Sequence, residues 1–166
     1  MSITHALDKP RDMLAKARRE QARLSDALRT QDRTTIADTL FNFAVTAYHI
    51  QDWLKQSASA LYSPSQVEAY IEADKCLRLC REICNASKHQ KLKPVPNDAR
   101  AITFSATGSF VIASNDPNDV KLESETSPSF KVTLVTFDGS RYEADEFAAN
   151  VIVAWEKFFT QWHIAQ

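Results

Sequence analysis

Both glycines of this 166-residue chain, Gly108 and Gly139, fall in its second half. Glycine is the strongest flexible breaker of regular structure, because it reaches φ values that other residues avoid and loses most entropy when ordered. A first stretch of roughly ninety residues without it, rich in Ala, Leu, Arg, Lys and Gln, is constrained toward helices joined by short turns. Pro10 suits a first helical turn, and Arg11–Gln31 carries Met13, Ala17, Leu24 and Leu28 as a thin apolar stripe. That pattern predicts an exposed or partner-facing helix. From Asp32 to Ser57, one side holds Ile36, Leu40, Phe43, Ala47, Ile50 and Leu54, while Phe41, Val45 and Tyr48 lie on another. Such a helix should be buried on several sides, leaving a narrow polar seam of Asp38, Asn42, His49, Asp52 and Gln56. Ser63-Pro64 opens a short helix to about Ala73, and Asp74 caps another from Lys75 to about His89.

Pro94 and Pro96 end the helical part. Strand-like runs follow at Ala101–Ala106, Phe110–Ala113, Phe130–Phe137 and Arg141–Glu143, with Thr107-Gly108 and Asp138-Gly139 as hairpin turns. Ser114–Ser129 is polar and acidic and reads as a long exposed loop. Asp145 should cap a last helix whose face of Phe147, Val151, Trp155, Phe158, Phe159 and Trp162 must pack inward. The expected fold is α+β: a helical bundle of about four helices, a small antiparallel β-meander and a C-terminal helix. One domain should cover residues 1–166, with a helical part at 1–93, a β-hairpin region at 100–144 and the C-terminal helix at 145–164.

A hydrophobic content of 44% and a charged content of 25% suffice for a core that needs no staples. The longest apolar run, Val151–Trp155, is too short for a bilayer, and Met1–Lys9 shows no signal-peptide pattern. The three cysteines all lie within Cys76–Cys84, as expected of a reducing compartment. A cytoplasmic protein without membrane association is the expectation. The net charge of −1 exerts no global pull on nucleic acid. Its distribution is uneven: Lys9–Arg33 carries +4 and Lys75–Arg100 carries +5, against −5 for Ala101–Gln166. Either one face meets an anionic partner, or the two halves complement each other.

Cys76, Cys80 and Cys84 recur every four residues and stack on one helical face beside Leu77, Leu79 and Ile83. That spacing is not a zinc pattern, and buried free cysteine behaves as a small hydrophobe, so no metal is expected. The opposite face holds Arg78, Arg81, Asn85, Lys88 and His89. At 100° per residue, Arg81, Asn85 and His89 fall within roughly 80° of one another. Such a face offers donors to an anion and one titratable imidazole, which suits a phosphodiester with His89 as acid or base and Arg81 steadying charge. Lys88 and Arg78 flank it as ligand-binding candidates. The plainer reading is a solvated face near a helix end. His49 and Asp52, supporting candidates, should be partly buried and need partners that this face could supply.

The strings Ala47-Tyr48-His49-Ile50-Gln51-Asp52-Trp53 and Arg81-Glu82-Ile83-Cys84-Asn85-Ala86-Ser87-Lys88-His89 resemble a loose class of uncharacterised bacterial and phage proteins. More distantly, the arrangement is similar to HEPN domains, which are all-helical, often dimeric, and include metal-independent ribonucleases of toxin and phage-defence systems. The resemblance covers the first ninety or so residues and implies His89 as catalytic, with Arg81 and Asn85 beside it. HEPN enzymes place four to six residues between Arg and His, whereas seven separate Arg81 from His89.

No Gly-rich phosphate loop, paired catalytic carboxylates, nucleophile elbow or zinc-protease motif is present, and no cofactor is expected. Two functions follow. One is a non-enzymatic interaction or structural module, phage- or defence-associated, whose first helix mediates self-association or binds a protein partner. The alternative is a HEPN-like metal-independent ribonuclease or RNA-binding protein.

Overall fold

Helices begin where the sequence supplies groups for their unpaired amides. In the computed structural model, which describes residues 7–30, 32–58, 60–88, 99–107, 111–113, 121–123, 129–136 and 140–164, this holds for each of the five helices. Helix α1 (Pro10–Thr30) opens with Asp12 reaching back to the amides of Asp8 and Lys9, each at 2.9 Å. Those two bonds hold the Asp12 carboxyl below its ordinary range. Helix α2 (Arg33–Gln56) is capped by Asp32, which accepts from Thr34 and Thr35 at 3.2 Å. Helix α3 (Pro64–Ala73) has a complete capping box between Ser63 and Gln66. Asp74 accepts from the Leu77 amide at 2.9 Å and so starts α4 (Lys75–Lys88).

In the fifth, α5 (Ala144–Gln161), the group comes from inside the helix, where Asp145 accepts from the Glu146 amide at 2.9 Å. Its N-cap is Glu143, which makes no side-chain capping bond, and Asp145 lies inside the first turn rather than before it. Acidic charge near the positive end of the helix dipole replaces the expected cap. At the far end, His163 adopts φ 48°, Ile164 N–H bonds Phe159 O at 3.0 Å, and His163 N–H bonds Thr160 O at 3.2 Å. This is a Schellman closure with histidine in the position glycine usually takes. Arg11 donates to the Ile164 carbonyl at 2.9 and 2.7 Å and lies over the Phe159 ring, tying the end of the chain to α1.

The stripe on α1 is not a partner-facing one. Met13, Ala17 and Leu24 are buried and Leu28 is partly so, because α1 folds back on α2 through a connection too short to let it leave. Helix α2 is apolar on enough sides to serve α1, α3, α4 and α5 at once. The remaining core comes from α5, where Phe147, Trp155, Phe158 and Phe159 are fully buried. Edge-on ring contacts join Phe43 to Phe147 at 6.1 Å and Tyr70 to Phe158 at 5.0 Å.

Among the described residues, five strands follow α4: β1 (Ala99–Thr107), β2 (Val111–Ala113), β3 (Lys121–Glu123), β4 (Ser129–Thr136) and β5 (Arg141–Glu143). They form a three-stranded sheet ordered β1-β4-β5 and a separate pair, β2-β3, all antiparallel. The α+β expectation is met. The hairpin of β1 with β2 that a turn at Thr107-Gly108 would make is not seen among the described residues: Thr107 pairs with Ser129, and β2 pairs with β3. One hairpin is therefore nested inside another. The stretch taken as a loop from Ser114 to Ser129 supplies β3 and the first residue of β4. The turn at Asp138-Gly139 and residue Gly108 lie outside the described residues, although β4 and β5 pair as such a turn requires. Strand β4 turns Val132 and Leu134 into the core, with Thr133 between them half-buried, the period-two signature of a one-sided sheet. Among the described residues, no helix is long and apolar enough to cross a membrane.

Candidate functional site

Helix α4 is sharply two-sided. Cys76, Leu77, Leu79, Cys80, Ile83 and Cys84 are buried, while Arg78, Arg81, Glu82 and Asn85 are half-exposed. The three cysteines form no disulfide and serve as core, as their spacing suggested. Burial, and then the carboxylates of Asp74 and Glu146, push the Cys76 thiol up to about 11. Burial lifts Cys80 well above the ordinary thiol value. Neither environment favours the thiolate that nucleophilic or redox chemistry would use. Among the described residues, no group of three His, Cys, Asp or Glu side chains is placed to hold a metal ion.

The sequence-predicted constellation assembles only in part. Arg81 and Asn85 share the half-exposed face of α4, one turn apart. Arg81 is ion-paired with Glu72 of α3, and its Nε lies 3.7 Å from Glu82. Burial works against the charge on Arg81, but the hydrogen bond and charge of Glu72, then Glu82 and Tyr48, leave it more strongly protonated than usual. Arg78 donates to the Glu72 carbonyl, which draws it to the same corner. Lys88 closes α4; its side chain and His89 lie outside the described residues.

Of the two seam residues expected to be partly buried, His49 is and Asp52 is not. Asp38, Asn42, Asp52 and Gln56 are exposed, and only His49 is half-buried, with its ring 6.4 Å from that of Tyr48. Among the described residues, no hydrogen bond or ion pair joins His49 or Asp52 to Arg81 or Asn85. The cause is geometric. On α2 the residues turned toward α3 and α4 are Tyr48, Gln51 and Lys55, on a different side from the exposed Asp52.

Those three residues, with Glu68, Ile71 and Glu72 of α3 and Arg81 of α4, line a cleft of about 300 Å³. Lys55 bridges to Glu68 at 2.9 Å, so two ion pairs, Lys55–Glu68 and Arg81–Glu72, flank it. Between them sits Gln51, only 6% exposed, whose amide has no hydrogen-bond partner among the described residues. Sequence reasoning passed over Gln51, Lys55, Glu68 and Glu72. A usable signal was present: Tyr48, Gln51 and Lys55 recur at helical spacing opposite the i, i+3, i+4 set Glu68, Ile71 and Glu72. The chain matches no family model, no curated protein and no solved structure.

Proposed function

We propose that this chain is a non-enzymatic binding module, with the cleft between α2, α3 and α4 as its recognition surface. The observation that supports this best is the engagement of Arg81 by Glu72 and Glu82. Carboxylates set beside this guanidinium would repel a polyanionic chain that approached it. Among the described residues, the supporting pair His49 and Asp52 makes no hydrogen bond or ion pair with that arginine. With the α1 stripe buried, a protein partner or second copy would have to use another face.

A second reading, a HEPN-like metal-independent ribonuclease or RNA-binding protein, draws on one feature: Arg81 and Asn85 lie on the same half-exposed face of α4. One assay separates the binding module from the ribonuclease. Purified protein is incubated with labelled total RNA in EDTA, wild type beside Arg81→Ala and His89→Ala. The binding module leaves the RNA uncut in every arm. Cleavage by the wild type that is lost in both variants would replace it with the ribonuclease.

A further inference from the structure

We infer that the cleft between α2, α3 and α4 takes a small zwitterion of the free amino-acid class. Its carboxylate would lie against Lys55, Arg81 and the Gln51 amide, and its ammonium against Glu68 and Glu72. The inference rests on the binding-module reading and adds the ligand's chemistry to it.

Three observations carry it. First, Gln51 is 6% exposed and its amide is unpartnered, although buried polar side chains nearly always find a hydrogen bond. Among the described residues, the fully enclosed side-chain nitrogen or oxygen without a partner is Trp155 Nε1, so the Gln51 amide is not sealed off. It faces the cleft that it lines, where a ligand can reach it. Second, charge is sorted by depth. The cations are the sheltered members of each pair, at 27% side-chain exposure for Lys55 and 25% for Arg81, while Glu68 and Glu72 stand out at 63% and 58%. Ion pairs with one partner so exposed are weak and exchange readily for a ligand group. An incoming carboxylate meets donors at the floor, and the displaced rim carboxylates then face whatever cation the ligand carries outward.

Third, the cleft is balanced and small. Two cations and two carboxylates line it, so a polyanion gains at the floor and loses at the rim, whereas a zwitterion gains at both. A volume of about 300 Å³ lies at the lower end for small-molecule sites, and the buried Ile71 adds an apolar wall for a short side chain.

The test is titration calorimetry on the full chain with each of the common free amino acids, its N-acetyl derivative and its α-carboxamide, with inorganic phosphate as the anion control. The expected result is saturable binding of at least one amino acid, weakened about tenfold or more by either derivatisation and by Gln51→Leu. Glu72→Gln sits on the exposed rim and serves if Gln51→Leu fails to fold. It should weaken the parent amino acid several-fold and make its N-acetyl derivative, which has no ammonium, bind no more weakly. Binding by no amino acid overturns the proposal. So do derivatives that bind as well as the parent, or phosphate that binds better than any of them. Failure here with RNA left uncut removes the zwitterion alone; RNA cleavage by the wild type removes the underlying binding-module reading, whatever the calorimetry gives.

Discussion

Two polar side chains of this protein are buried to nearly the same degree, Glu20 at 5% exposure and Gln51 at 6%, and they are treated in opposite ways. Glu20, on α1, receives Arg23 at 2.7 Å and Lys16 at 3.3 Å, and Lys16 in turn reaches the Thr46 hydroxyl of α2 at 2.7 Å. The network locks α1 to α2 and leaves the carboxylate answered. Gln51, one helix interface away, has its amide unanswered at the floor of a cleft. Burial alone therefore does not separate a structural polar group from a functional one. The partners do: the first is a clasp between helices, and the second has capacity left for a ligand.

The comparison is tested hardest by removing the answered group. Glu20→Leu leaves Lys16 and Arg23 beside an apolar surface, and it should lower stability by about 1–3 kcal/mol. The upper figure for orphaned buried charges does not apply, since Arg23 is 63% exposed and Lys16 34%, so water can rehydrate both. Urea unfolding midpoints of wild type and variant measure this. A loss below about 0.5 kcal/mol would mean the clasp is as dispensable as a surface pair.

Next in size is an effect of pH on the cysteine face of α4. The unfolded thiol of Cys76 titrates near 9.0, while burial and the neighbouring carboxylates of Asp74 and Glu146 raise the folded value to about 11. Folding therefore favours the protonated form. The contribution is fully present below pH 9 and is lost as pH rises from 9 toward 11. It should be on the order of 1–2 kcal/mol, reduced because Cys76 also lines a small cleft that admits solvent. Melting temperature followed from pH 8 to 11 should fall, and Cys76→Ala should flatten that fall. An equally steep fall in the variant would place the alkaline sensitivity elsewhere.

The helical body could be read from the chain because its signals are local. Asp32, Ser63-Pro64 and Asp74 start helices by satisfying amides two or three residues away, and the four-residue repeat of the cysteines puts them on one face whatever surrounds them. The nested hairpins were not legible in the same way. Thr107 pairs with Ser129 and Val111 with Glu123, registers set by residues more than ten positions apart, and a Thr-Gly pair resembles a turn whether or not the chain reverses there. The surroundings of Arg81 were hidden for a related reason. Arg81 was legible as a surface cation, but its carboxylate Glu72 lies on another helix, and that pairing depends on how α3 crosses α4. Likewise Asp52 looked buried because most of α2 is apolar, yet the helix keeps one side in water and Asp52 is on it.

A smaller effect reaches the cleft through α3, which supplies both rim carboxylates but is only ten residues long. So short a helix depends on its ends, and the Ser63/Gln66 capping box satisfies amides that would otherwise have no partner. Ser63→Ala should cost about 1 kcal/mol in thermal unfolding. Hydrogen exchange should quicken in α3 well before it does in the α1/α2 clasp. Uniform quickening across both would show that α3 does not open independently, and the contrast between a locked interface and an adaptable one would have to be given up.

The smallest change in stability is expected where the comparison makes its least intuitive claim. Gln51 is as buried as Glu20, so a rule based on burial would predict comparable damage from either substitution. Removing one member of a hydrogen-bonded set strands the others, but removing an amide with no partner strands nothing. Gln51→Leu keeps nearly the same volume and extends the apolar wall that Ile71 begins. Its unfolding free energy should therefore stay within about 0.5 kcal/mol of wild type, or rise slightly. A loss near that of Glu20→Leu would show that the amide has a structural partner after all, and the two residues would then differ in surroundings but not in kind. A neutral substitution would instead leave a buried polar group that the fold does not need, with recognition as the reason for its place at the floor of the cleft.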